Sequence, residues 1–270
     1  MDRIQQYLVA SLLTACSFTP GNTSAQNQNS KPDKVAHAEP LYFDLVRDLG
    51  ARKGEKELNI GSDFSSVSGY NKNTLLAEYE FAPVDRLGLE AEADLALYKG
   101  IGPQTEVPGN KLECIRLSAQ YSFLVSSRHQ ATLAAGYTQI IEFREFRSAE
   151  QQRFVSGMVY NPFFVAAKRW GRNMHTLLYC SPLILQETGS MPSGIKWQLN
   201  ASLHYTIPKT KNFIGIECNQ EIRQGKTTFT LRPQVKIQVS KHLAAGLVAG
   251  LPLGQKEERV SSFVRIIYEL

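Results

Sequence analysis

Residues 87–98 read LGLEAEADLALY. Leu87, Leu89, Ala91, Ala93, Leu95 and Leu97 take every second position, and Gly88, Glu90, Glu92, Asp94 and Ala96 fall between them. A period of two is the mark of a β-strand with two different faces. Here one face is apolar and the other carries three carboxylates in a row. No soluble core accepts such an acidic face, and the run is longer than the about 5–6 residues of an ordinary strand. A tilted strand needs about 9–11 residues to cross a bilayer. The stretch therefore reads as a membrane-crossing strand, with its leucines toward lipid and its carboxylates toward a wet lumen.

The same rule extends outward in both directions. Leu75, Ala77, Tyr79 and Phe81 oppose Glu78 and Glu80. Ile115, Leu117, Ala119, Tyr121 and Phe123 oppose Arg116, Ser118 and Gln120. Ile195 to Ile207 repeats the alternation with Lys196, Asn200, Ser202 and His204 on the polar side, and Phe229 to Val239 does so with Arg232 and Lys236. Val264, Ile266, Tyr268 and Leu270 end the chain opposite Arg265 and Glu269. Three runs are less clean: 158–168, 176–185 and 242–253 contain prolines, and the last is apolar on both faces.

Short breaks (PVDR, SSRH, GRN, PKTKN, SKH) alternate with usually longer ones (SVSGYNK, IGPQTEVPGN, REFRSAEQQR, QETGSMPSG, RQGK, GQKEER). Outer-membrane barrels show this asymmetry, with short periplasmic turns and long outer loops. Counting between the breaks predicts an all-β fold, a closed antiparallel transmembrane up-and-down β-barrel of about 12 strands over residues 55–270. A soluble sandwich of shorter strands is the alternative architecture.

The 270 residues carry a formal charge of +5, too weak and scattered to imply nucleic acid. No apolar run after the N-terminus is long enough for a helical span. Residues 1–25 read as a signal peptide, with Arg3, an apolar core from Tyr7 to Ala15, and Thr23 and Ala25 as small residues at a cleavage site. A second reading stays open: LTAC, Leu13 to Cys16, fits a lipobox that would leave Cys16 lipidated. Cys114, Cys180 and Cys218 are far apart with no C-x-x-C spacing, so they read as packing residues rather than a metal or redox site. No cofactor or metal is expected.

Residues 26–36 read as a flexible spacer. Residues 37–54, within HAEPLYFDLVRDLGARKGEKE (37–57), read as a short amphipathic helix. Pro40 suits its first turn and Gly50 its end. Leu41, Leu45 and Leu49 recur every four residues, with Asp44, Arg47 and Asp48 on the other faces. Arg47, Arg52, Lys53 and Lys56 make the segment basic, complementary to an acidic wall. It is expected to plug or cap the periplasmic end of the barrel.

This segment, together with YEFAPVDRLGLE at 79–90, resembles a family of bacterial outer-membrane β-barrels with a HAEPLY-type leader. The two matches cover about a fifth of the chain. The resemblance implies an outer-membrane barrel, with the bilayer and the membrane's assembly machinery as partners, and carries no catalytic residues.

The candidate site is the lumen. Glu78, Glu80, Glu90, Glu92 and Asp94 form an acidic cluster, and Arg116, Lys196, Arg232, Lys236 and Arg265 face inward from other strands. Such a field can select a charged or polar solute; it can also merely fill the interior with ion pairs. Three functions follow: a channel or transport protein for a small polar or charged solute, a closed barrel binding partners through its loops (144–153 above all), and a lipid hydrolase using His204 near Ser202. The hydrolase lacks a G-x-S-x-G motif and a lipid-facing histidine with partners, so no enzyme is expected.

Overall fold

The computed structural model describes residues 32–43, 45–67, 69–102, 107–148, 154–192, 194–254 and 260–270. The signal-peptide reading, the spacer up to residue 31, Asp44, and parts of the loops at 149–153 and 255–259 lie outside them.

Twelve strands follow one another: β1 (Lys56–Val67), β2 (Tyr70–Val84), β3 (Leu87–Gly100), β4 (Lys111–Ser126), β5 (Ala131–Phe143), β6 (Val155–Trp170), β7 (Met174–Glu187), β8 (Gly194–Thr206), β9 (Phe213–Arg223), β10 (Lys226–Gln238), β11 (Leu243–Leu253) and β12 (Ser261–Glu269). Each pairs antiparallel with its neighbours, and β1 pairs with β12 from Glu57↔Glu269 to Ser65↔Ser261, so the sheet closes on itself. Closure removes the unpaired edges that no strand can leave in lipid. The strands are 9 to 16 residues long, enough for a tilted crossing.

The alternation read from the sequence sets inside and outside. Leu75, Leu117, Leu178, Ile195, Leu203, Ile214, Ile237, Leu247, Val264 and Ile266 are exposed on the outer surface. Exposed aromatics ring this band near both ends: Tyr79, Tyr121, Trp170, Tyr205 and Tyr268 toward the tight turns, Phe64, Trp197 and Phe229 toward the longer loops. An apolar belt with two aromatic girdles fits a bilayer's core and interfaces. The first residue of β1 and the last of β12 lie at the same end as the tight turns, called here the turn end.

Candidate functional site

The segment before β1 is not helical. Residues 32–43 and 45–55 have no regular structure, and Arg47 and Gly50 have φ angles of 62° and 73°. The expected helix over 37–54 is thus corrected to an irregular re-entrant loop inside the barrel. Its backbone groups are met by lumen side chains rather than by the i→i−4 ladder. The N–H groups of Leu41, Tyr42 and Phe43 donate to the Glu217 carboxylate at 3.0, 3.1 and 3.3 Å, and Leu41 N–H also donates to Gln234 at 2.8 Å. Gly50 N–H donates to Ser122 Oγ at 2.8 Å, and Gln120 Nε2 donates to the carbonyls of Val46 and Arg47.

The loop enters and leaves at the turn end. Lys34 Nζ lies 2.8 Å from both Asp48 and Glu55, tying the incoming limb to the outgoing one. His37 contacts Thr132 Oγ1 at 3.0 Å, and Ala38 N–H donates to His175 Nδ1 at 3.2 Å. The tip, Tyr42–Phe43, reaches mid-barrel: Tyr42 stacks edge-on against Phe263, Phe43 against Tyr179, and the Arg232 guanidinium sits 3.3 Å from the Tyr42 ring centre.

Two apolar patches receive the loop. Ala38 and Leu41 pack with Phe213, Ala244, Val248, Phe263 and Ile267 on β9, β11 and β12. Leu45, Val46 and Leu49 pack with Ala134, Phe163, Val165, Leu177 and Tyr179 on β5–β7. The leucine stripe is therefore split between two walls. These lumen-facing apolar residues were the ones sequence reading missed as site residues. Their signal was the softness of β6, β7 and β11: a strand apolar on both faces has something apolar to meet inside.

Arg47, 5% exposed, brings its charge to the acidic wall, at 2.7 Å from Glu57 and 3.5 Å from Glu80. Arg52 is half-buried on the outgoing limb, and Lys53 is exposed with its backbone N–H donating to Asp85. Two leader groups titrate away from their ordinary ranges. Burial, with Asp48 close by, pushes the Glu39 carboxyl up to about 8. Burial, with His175 and Arg169 close by, pulls His37 down to about 4.

All five cluster carboxylates are buried on β2 and β3. Asn59 donates to Glu78 at 2.7 Å and to Glu80 at 2.8 Å; Arg265 holds Glu78 at 2.7 Å. Arg116 pairs with Glu92 and, at 2.6 Å, with Asp94, and Ser118 donates to Glu90 at 3.0 Å. Lys196 and Arg232 stand apart on β8 and β10, the former 3.0 Å from Glu221 and the latter bonded to Asn219 at 2.8 Å. Lys236 lies nearer the turn end, facing Asp48.

Above the loop tip lies a cavity of about 670 Å³. Tyr42, Phe43 and Val46 contribute its floor. Seven carboxylates line it (Asp63, Glu78, Glu90, Glu92, Asp94, Glu113, Glu221) against five basic groups (Lys72, Arg116, Lys196, Arg232, Arg265). Of the ten predicted lumen charges, Glu80 and Lys236 are not in this lining. His204 is 1% exposed inside the barrel, beneath the cavity, out of reach of any bilayer lipid.

A closed barrel with an apolar belt, a charged lumen and its own N-terminal segment folded into one mouth defines an outer-membrane-type transmembrane β-barrel. The chain belongs to the HAEPLYID-like family, whose model matches residues 33–269. No curated protein matches its sequence. Among solved structures it is similar to an outer-membrane channel from Pseudomonas putida F1 (TM-score 0.63, 11% identity, 86% of this chain and 100% of that one). It is also similar to the KdgM porin (TM-score 0.54, 16% identity, 78% and 99%) and to the same porin in complex with disordered oligogalacturonate (TM-score 0.53, 15% identity, 78% and 99%). At these identities the likeness is one of fold.

Proposed function

We propose that the protein is an outer-membrane channel for a small polar or charged solute, closed at rest by its own leader. The turn end faces the periplasm in this reading, and the charged cavity opens toward the loops. The observation that carries the proposal is the loop tip as cavity floor: Tyr42, Phe43 and Val46 turn a tube into a cup. A segment that only anchored the chain would have no reason to reach mid-barrel.

The lining favours cations or neutral polar solutes. Carboxylates outnumber basic groups seven to five, and five of the seven sit together on β2–β4. Charge of one sign on low-dielectric walls concentrates ions of the other. A polyanion such as oligogalacturonate would meet repulsion here.

The test is conductance in planar bilayers. The full chain is expected to conduct little. Removal of residues 33–54, or Leu45→Asp in the full chain, is expected to raise conductance and give a cation-selective reversal potential. Correctly folded barrels, identified by heat-modifiable gel migration, whose conductance does not change on either alteration would sink the proposal.

A further inference from the structure

Between the two apolar patches that grip the leader runs a stripe of a different kind. Asn200, Ser202 and His204 are consecutive lumen-facing residues of β8, exposed by 2%, 6% and 1%. Both amide atoms of Asn200 and the Ser202 hydroxyl have no hydrogen-bond partner among the described residues, while the His204 ring has the Gln234 side chain within hydrogen-bonding reach. Gln234, which faces His204, engages Leu41 and Glu217 through its amide. Buried polar groups are nearly always paired, and a run of exceptions on one strand calls for an occupant. The occupant must be small, polar and able both to donate and to accept, because an amide, a hydroxyl and an imidazole demand both. Water meets that description.

The stripe is also placed to connect two spaces. Asn200 lies in register with Tyr179 on one side and Asn219 on the other, both of which line the cavity. Two residues on, Ser202 is flanked by Leu177 and Glu217, and His204 by His175 and Gly215. A side chain on Gly215 would meet the His204 ring at 2.1 Å, so the glycine leaves room for that ring. His175 Nε2 then reaches Thr206 Oγ1 at 3.1 Å, at the end of the strand. Successive stripe residues are about 7 Å apart along the strand, a gap that one bridging water spans.

We infer that Asn200, Ser202 and His204 hold a single file of water running beside the docked leader from the cavity to the turn end, so that the closed barrel excludes solutes yet passes water. This inference rests on the leader acting as a plug, and the two can fail separately. The apolar patches seal the leader on both flanks, and the stripe runs between them, neither apolar nor, at Asn200 and Ser202, internally paired among the described residues.

The experiment uses full-length protein in proteoliposomes, with stopped-flow light scattering for osmotic water flux and glucose entry for solute flux. Wild type is expected to raise water flux severalfold over protein-free vesicles while admitting no glucose. Asn200→Leu combined with Ser202→Leu is expected to return water flux to the protein-free level. Glucose entry through the wild type would overturn the plug. Water flux at the protein-free level in the wild type, or unchanged in the double variant, would overturn the water file alone. Should the double variant not fold, Ser202→Val alone serves instead. It is expected to cut osmotic water flux severalfold with glucose still excluded; unchanged water flux in a folded Ser202→Val barrel would overturn the file.

Discussion

Glu39 and His37 lie two positions apart on one limb of the leader and titrate in opposite senses. An ordinary Glu ionises near about 4.3, but docked Glu39 holds its proton up to about 8 beside Asp48, with Lys34 and Arg47 opposing. Docking then takes up a proton that release gives back, so it weakens as pH rises through that window and levels off above it. Docked His37 stays neutral down to about 4, facing His175, Arg169 and Asp48. Docking gives up its proton, so it weakens as pH falls from about 6.5. Where the windows overlap the two cancel, and the net effect is opening between about pH 6.5 and 8. Glu39→Gln keeps an acceptor for the Leu49 N–H. It is expected to abolish that rise in open probability and to uncover opening below about pH 6.5. A Glu39→Gln channel that retained the alkaline rise would count against this assignment. Glu217 carries a separate prediction. It is fully buried and accepts three consecutive leader N–H groups. Hydrogen bonds to a charged group contribute about 1.5–3 kcal/mol each. Glu217→Ala should shift the docked-to-released ratio by about a thousandfold or more, three such bonds amounting to at least about 4.5 kcal/mol, read as faster protease cleavage of the leader in a folded barrel.

At the scale of elements, the barrel walls are shaped to the loop. Gly88 on β3 lets the Val46 carbonyl come so close that an added Cβ would sit 2.2 Å from it and 2.8 Å from Arg47 Cβ. Both neighbours are tightly held, so Gly88→Ala should displace the loop while β3 keeps its pairing. Gly194→Ala on β8, where nothing lies within 4 Å, is the control and should change nothing. The expected readout is raised conductance in the first variant only. Strands such as 87–98 were legible because lipid outside and water inside write opposite residues at alternate positions. The leader was misread for a physical reason: Leu41, Leu45 and Leu49 at four-residue spacing make a helix stripe, but they also suit a loop gripped from two sides. Sequence spacing cannot say whether three leucines share one partner or two. Nor could it announce Glu217 or Gln234, whose work depends on facing a backbone 175 and 193 residues away.

For the whole molecule, the channel proposed above carries a prediction: with the lumen's charge imbalance, its cation selectivity when opened should fade with salt. At about 0.01 M the screening length is roughly 30 Å, and at about 1 M roughly 3 Å. Reversal potentials measured across that range should fall toward zero; selectivity independent of salt would point to a steric filter instead. The tie at Lys34 has a consequence for assembly. Because Asp48 and Glu55 meet Lys34 at the same mouth, the leader is a doubled-back cord whose two standing parts leave together. Such a cord can be pushed into a finished ring, or drawn out of it, without any chain end passing through. Among the described residues the closed barrel therefore traps no knot, and withdrawing the leader leaves the β1–β12 seam intact and the way back open.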